Sequence, residues 1–242
     1  MSAALHPSRM GLEPLPLEDW LKPQPGDAAL LTQRTMLVAA HERDVIAELP
    51  AGAAAVEELA RMLGARGFNL GAGDRLPAIA RAVAEDLCIL TRDGSDYLLT
   101  AGILCFPNRW KLREKMGGTV MGVHDPVPDY AAHLADGVDR YLDRLKPLRA
   151  YMRRNWGRST SNALFVPDST PPVNPRRDRD FFLRREDQSF LKLPETGAVI
   201  FSIRTTVIPW ADAPADLQGD ILAVVGDLSP AWLHYKSLKP GH

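Results

Sequence analysis

An α+β fold is predicted for this 242-residue chain from three observations. The first third carries apolar residues at helical spacing, and the second half carries runs rich in β-branched and aromatic residues. Between two apolar runs lies Asp93-Gly94-Ser95-Asp96, which is turn chemistry. Helices and short antiparallel strands that segregate along a chain give α+β rather than an alternating parallel sheet. The length allows one large core, so a single domain over 1–242 is expected. Its parts would be an irregular arm at 1–26, a helical layer at 27–90, and a sheet core with closing helices at 91–242.

Each element has its own signal. Residues 1–26 are Pro-rich, with Trp20 and Leu21 expected against the body. Leu30, Leu31, Leu37, Val38, Val45 and Ile46 recur at helical spacing, predicting a helix over 27–48 that Pro50 and Gly52 end. A second helix at 53–67 stops at glycine, and a third at 77–90 starts with proline in its favoured first turn. Cys88-Ile89-Leu90 and the run 97–104 flank the turn and form a hairpin. A short helical turn at 110–116 and a strand at 120–123 lead into His124, followed by a helix at 129–145. Strands are expected at 162–166 and 198–208, with a further strand candidate at 181–191. The stretch 167–175 and the following Arg176-Arg177-Asp178-Arg179 read as a loop, and helices at 212–225 and 230–235 close the chain.

Composition narrows the classes. Apolar residues make up 45% and charged residues 24%, ordinary for a soluble globular protein, and 29 basic against 30 acidic residues leave a formal charge of −1. No global electrostatic footprint points to nucleic acid. No apolar run reaches the length of a membrane span, and the N-terminus lacks the order of a signal peptide. Cys88 and Cys105 form neither a metal spacing nor a disulfide framework, so a reducing, cytoplasmic location is expected. Neither a Gly-x-Gly-x-x-Gly nor a Walker loop is present.

The residues from 104 to 130 carry the chemistry. His124 is followed at alternate positions by Pro126 and Pro128, each of which fixes its own φ and extends its predecessor. Gly117, Gly118 and Gly122 lie upstream, where backbone can pass close to something bulky. An imidazole on a stiffened segment suits an axial metal ligand, and it equally suits a histidine that bonds a nearby carbonyl. His133 is a reserve ligand, while His41 in the first helix reads as structural, and His6, His234 and His242 lie at or near the termini.

The run from Cys105 to Tyr130 resembles the signature of the haem-dependent oxidative N-demethylase family, long known as a domain of unknown function. The matching residues are Phe106-Pro107-Asn108-Arg109-Trp110, Glu114-Lys115-Met116-Gly117 and Val123-His124-Asp125-Pro126-Val127-Pro128. Agreement extends to Glu85-Asp86-Leu87-Cys88, to Arg153-Arg154-Asn155-Trp156, and to Glu186, Gln188, Leu193-Pro194, Thr196-Gly197 and Ser202-Ile203-Arg204-Thr205. The matches keep their order over residues 12 to 238. Two positions depart: Asp187 stands where the family usually has arginine, and Thr206 where it usually has tyrosine.

The resemblance implies a PAS-like antiparallel sheet, wrapped by additional helices, that holds haem b without covalent attachment, since no Cys-x-x-Cys-His is present. It implies His124 as the iron ligand, with Asp125 near enough in sequence to accept from its other ring nitrogen. Arg204 and Arg154 are candidate propionate anchors, the alternative being a structural ion pair, for instance with Glu186. Trp110 and Trp156, with Phe106 and Phe201, are candidates to wall a flat cofactor or are simply core. Glu114 and Lys115 are candidates to orient a substrate amine or relay protons, against surface charges with Lys115 lying over Trp110. The cluster Arg176, Arg177, Arg179, Arg184, Arg185 reads as a solvated loop or a docking face for a redox partner.

The implied activity is oxidative N-demethylation of a small secondary or tertiary alkylamine, releasing formaldehyde. Flavin and an iron–sulfur centre would sit on partner subunits that supply electrons. The alternative from another class is a haem- or ligand-binding sensor module, to which the lack of an attached output domain is the objection, and a third is a scaffold without cofactor.

Overall fold

A computed structural model describes residues 5, 11–119, 135–168 and 181–236 of the chain. Seven strands form one antiparallel sheet: β1 (Glu13–Leu15), β2 (Ile46–Glu48), β3 (Asp86–Asp93), β4 (Asp96–Ile103), β5 (Ala150–Ser159), β6 (Phe182–Lys192) and β7 (Val199–Pro209). Their order is β1-β5-β6-β7-β3-β4-β2. The helices are α1 (Asp27–Val45), α2 (Ala53–Ala65), α3 (Arg75–Ala82), α4 (Leu112–Lys115), α5 (Ala135–Arg144), α6 (Ala215–Gly226) and α7 (Pro230–Tyr235). The fold is therefore α+β.

Alternation along the strands sends successive side chains to opposite faces. One face carries Leu87, Ile89, Ala101, Ile103, Ala150, Leu191 and Ile200, and it packs on α1, α2 and α3 through Val38, Val56, Leu59, Leu63 and Ile79. Trp20 and Leu21 are buried in the same cluster, as the sequence suggests. The other face carries Cys88, Leu90, Leu99, Tyr151, Val199, Phe190 and Phe201, covered in part by Leu112 of α4 and by Leu142 and Leu145 at the end of α5. Registers through β5, β6 and β7 run without a shift, so each cross-strand row has a definite face. In β3–β4 the register shifts between Ile89 and Leu90. Gly52 lies so close to that hairpin that a Cβ there would meet the Thr100 carbonyl oxygen at 2.7 Å, which is why only glycine fits.

Several elements depart from the sequence expectation. Helix α1 stops at Val45 and the chain continues as strand β2, because Ile46 turns to extended backbone and pairs with Ile103. The third helix ends at Ala82; residues 86–90 are strand, drawn into the sheet between β7 and β4. Glu13–Leu15, within the expected irregular arm, pairs with β5. The expected strand at 162–166 is not one: Val166 makes a single bridge to Asn108. The strand there is instead β5, hidden in the sequence because charged residues such as Arg153, Arg154 and Arg158 sit along it. The hairpin β3–β4, β6, β7 and helix α7 match their expected positions closely, and α2 and α6 to within three residues at each end. The expected strand at 120–123, and the expected loop at 167–179 beyond residue 168, lie outside the described residues. Among the described residues no helix is long and apolar enough to cross a membrane.

Candidate functional site

Strand β5 turns Arg153 and Asn155 to one face of the sheet and Arg154 and Trp156 to the other, by alternation alone. Strands β6 and β7 do the same. Glu186, Gln188, Ile203 and Thr205 share the face of Arg153 and Asn155, whereas Asp187, Ser202 and Arg204 share that of Arg154 and Trp156. Thus the motif residues of three strands divide into two sets with different surroundings.

The set on the helix-covered face is fully engaged. Arg204 Nη1 donates to Asp27 Oδ1 at 2.6 Å and its Nε donates to Glu85 Oε1 at 2.8 Å. Burial pushes the Glu85 carboxyl above its ordinary value, against the pull of Arg204. For Asp27 burial acts the same way, but the bonds from Arg204 and the Gln24 amide outweigh it and hold the carboxyl below its ordinary range. Burial would lower Arg204; its two carboxylates outweigh that and raise it. Arg204 is thus an ion-pair centre, with Asp27 and Glu85 as partners rather than Glu186. Arg154 is 41% exposed along its side chain and lies 3.5 Å from Asp187, which also accepts from Arg185 at 2.9 Å. Trp156 is buried against α6 in a cluster with Leu5, Leu183 and Ile221 and donates Nε1–H to the Leu5 carbonyl at 3.0 Å.

The opposite face is different. Here Glu186 Oε2 accepts from Asn155 at 3.2 Å and from Gln188 at 3.0 Å. Arg184, 2% exposed, donates to the Phe106 carbonyl at 2.5 Å and the Leu164 carbonyl at 3.2 Å, with Glu186 at 3.5 Å. Burial lowers its pKa. The expectation that Arg184 belongs to a solvated loop is therefore corrected: it is an inward residue of β6 that fastens the loop carrying Phe106. The Thr205 hydroxyl is buried without a hydrogen-bond partner among the described residues. One row along, Tyr151, Phe190 and Phe201 stand side by side, Phe190 stacked on Phe201 at 4.7 Å and Tyr141 edge-on to Phe190 at 6.3 Å. These rings are only half-buried. Polar and aromatic groups are therefore adjacent on central strands, facing away from α1–α3.

The signature loop after β4 is pinned by one carboxylate. Asp86 accepts from the amides of Cys105 and Phe106, both at 2.8 Å, and from Arg34 Nη1 at 2.6 Å. Arg34 is fully buried and lies 5.4 Å from the centre of the Phe106 ring. Phe106 is core, and Cys88 and Cys105 are buried free thiols that burial pushes up to about 12. Trp110 is half-buried against Leu112 and its neighbours. Glu114 is exposed and Lys115 half-buried on α4, which packs on β2 and β4. Glu114 and Lys115 thus stand at the opposite edge of the sheet from Arg154 and Trp156. His41 stacks on Phe165 at 5.6 Å and lies 3.5 Å from Asp44, the structural role expected of it. His124, Asp125 and His133 lie outside the described residues.

Sequence reasoning missed Arg153, Asn155 and Lys236. The signal for the first two was present in Arg153-Arg154-Asn155-Trp156, since a strand sends alternate members to one face. Lys236 had no signal. It is reached only through the packing of α7 on β5, where its Nζ donates to Asn155 Oδ1 at 3.2 Å and to the Trp156 carbonyl.

A family model described as haem-dependent oxidative N-demethylase, alpha subunit-like, matches residues 61–241. That span takes in β3 to β7, the Phe106 loop, His124 and both sets of motif residues. This chain belongs to the haem-dependent oxidative N-demethylase alpha subunit-like family.

Proposed function

We propose that this chain is the haem-binding subunit of an oxidative N-demethylase acting on a small secondary or tertiary alkylamine. The observation that carries the reading is the family match over three quarters of the chain, combined with a sheet face where aromatic rings adjoin half-buried polar groups. On this reading the sheet is PAS-like and His124 is the iron ligand, as the family resemblance implies. The described residues suit a haem in two respects. Tyr151, Phe190 and Phe201 give a flat apolar surface, and the neighbouring row on the same face carries the cation Arg153.

When bound, haem would supply the one-electron and oxygen chemistry needed to oxidise an amine C–N bond. The chain's own residues bind and orient. The rings of Tyr151, Phe190 and Phe201 exclude water from one side. Glu186, fixed by Asn155 and Gln188, is a carboxylate of this face and would hold the amine N–H, a role for which Glu114 is too exposed. Electrons would come from partner subunits carrying flavin and an iron–sulfur centre, in keeping with an alpha subunit-like chain. The experiment is titration of the haem-loaded protein with dimethylamine and trimethylamine, with and without a chemical reductant under air. A spectral shift and formaldehyde release support the reading. A spectrum that answers to gases but not to amines would favour the sensor alternative.

A further inference from the structure

Strand β2 ends the sheet, with β4 on one side and no strand on the other among the described residues. The Leu104 amide donates to the Val45 carbonyl, and the Leu49 amide donates to the Thr100 carbonyl. An antiparallel ladder alternates, so Ala47 also faces β4 while Ile46 and Glu48 turn their peptide groups off the edge. The Ile46 amide closes α1 on the Glu42 carbonyl. The Ile46 carbonyl and the N–H and C=O of Glu48 remain directed outward. Beside β2 lies an open cleft of about 670 Å³, bounded by the end of α1, by α2, by the start of α3 and by α4. Leu49, Val56, Leu76 and Met116 give it apolar walls. Four carboxylates, Glu42, Glu48, Glu57 and Asp74, share it with Arg75 and Arg113. Arg75 donates to both oxygens of Glu57, at 3.2 and 3.1 Å, and Arg113 is fastened to the Arg43 carbonyl. Glu42, Glu48 and Asp74 make no ion pair among the described residues, and Asp74 stands at the start of α3 without a cap bond. Burial, with Glu57 and Asp74 close by, pushes the Glu48 carboxyl above its ordinary value. The cleft is therefore apolar inside, net negative, and open to a strand edge.

We infer that this cleft docks an extended, lysine- or arginine-rich segment of a partner protein, which pairs with β2 as a further strand. The outward peptide groups of Ile46 and Glu48 supply the backbone bonds, and the apolar walls take alternate side chains. Glu48 and Asp74 select the cations between them. Three residues make too short a ladder to hold a strand by backbone bonds alone, so charge decides the partner. A second copy of this chain fits poorly: pairing β2 with β2 would bring two net negative clefts together, and like charges across a strand pair destabilise it. A small cation would leave the strand edge and the apolar walls unused. The docking involves neither haem nor amine and stands independently of the proposed function.

The test titrates the full chain by calorimetry with a short peptide alternating lysine and valine. Two control peptides accompany it: one N-methylated at every backbone amide, and one with glutamate in place of lysine. Wild type should bind the lysine peptide saturably, more weakly as salt rises, and should not bind the glutamate peptide. The N-methylated peptide should bind about tenfold more weakly or worse, having lost its backbone donors. Glu48→Lys combined with Asp74→Lys should weaken the lysine peptide about tenfold; both positions are exposed, so the fold is kept. Glu48→Pro removes an outward N–H, a change an edge strand tolerates, and should bind more weakly than Glu48→Ala. Wild type that shows no saturable binding of the lysine peptide would overturn the inference. Equal binding of the N-methylated peptide would do the same, since it would leave a site for charge alone. So would wild type that self-associates in sedimentation and returns to monomer on Glu48→Pro, which would give the cleft to a second copy.

Discussion

Glu186 and Asp187 are neighbours on β6, and the strand turns them to opposite faces of the sheet. Glu186 belongs to the polar face with Asn155 and Gln188. Asp187 stands in register between Arg154 and Arg204 on the helix-covered face. Its departure from the arginine usual in the family therefore changes the structural face and leaves the candidate site intact.

Asp187→Arg would place its charge against Arg154 and Arg185. Loss of stability by roughly 1 kcal/mol is expected for a like-charge cross-strand pair, and Arg154→Asp in the same chain should recover part of it. Urea unfolding of the two single variants and the double variant measures both quantities. Haem uptake should be unchanged throughout.

Arg204→Met would leave Glu85 and Asp27 facing each other without their shared guanidinium. The expected cost is roughly 3–5 kcal/mol, the scale for breaking a buried pair by removing one partner. Denaturant unfolding checks it. A variant that keeps its stability but loses haem would instead make Arg204 a propionate anchor.

Lys236 gives stability a distinctive pH dependence. In the unfolded chain a lysine titrates near 10.4; here the value is about 8. Between the two the unfolded chain binds more protons, so stability rises with pH across that window and is lowest below about 8. Relative to Lys236→Met, wild type should gain on the order of 3 kcal/mol from pH 7 to above pH 10. Urea midpoints of both proteins at several pH values test this.

Glu186→Gln keeps the shape and the Asn155 bond but removes the charge that would hold an amine. On the proposed function KM for the amine should rise about tenfold or more, with the haem spectrum unmoved. Steady-state formaldehyde release against amine concentration reads the effect.

How much the sequence disclosed depends on the element. Helix α2 and the hairpin β3–β4 are plain from local signals, since glycine, turn residues and apolar periodicity agree there. Strand β5 is not, because Arg153, Arg154 and Arg158 break the apolar alternation and only pairing to β6 makes it strand. Arg154 and Arg204 stood out as charged residues among apolar ones, yet side-chain direction decides their roles. The partners of Arg204, Asp27 and Glu85, lie 177 and 119 residues away in the chain. Lys236 became visible only when α7 was laid beside β5.

The most direct measurement is the absorption spectrum of the full chain expressed with ample haem, for wild type beside His124→Ala. The account predicts a strong Soret band in wild type that is lost or shifted in the variant. A wild type that stays colourless after reconstitution with haem, or a variant with an identical band, would contradict it.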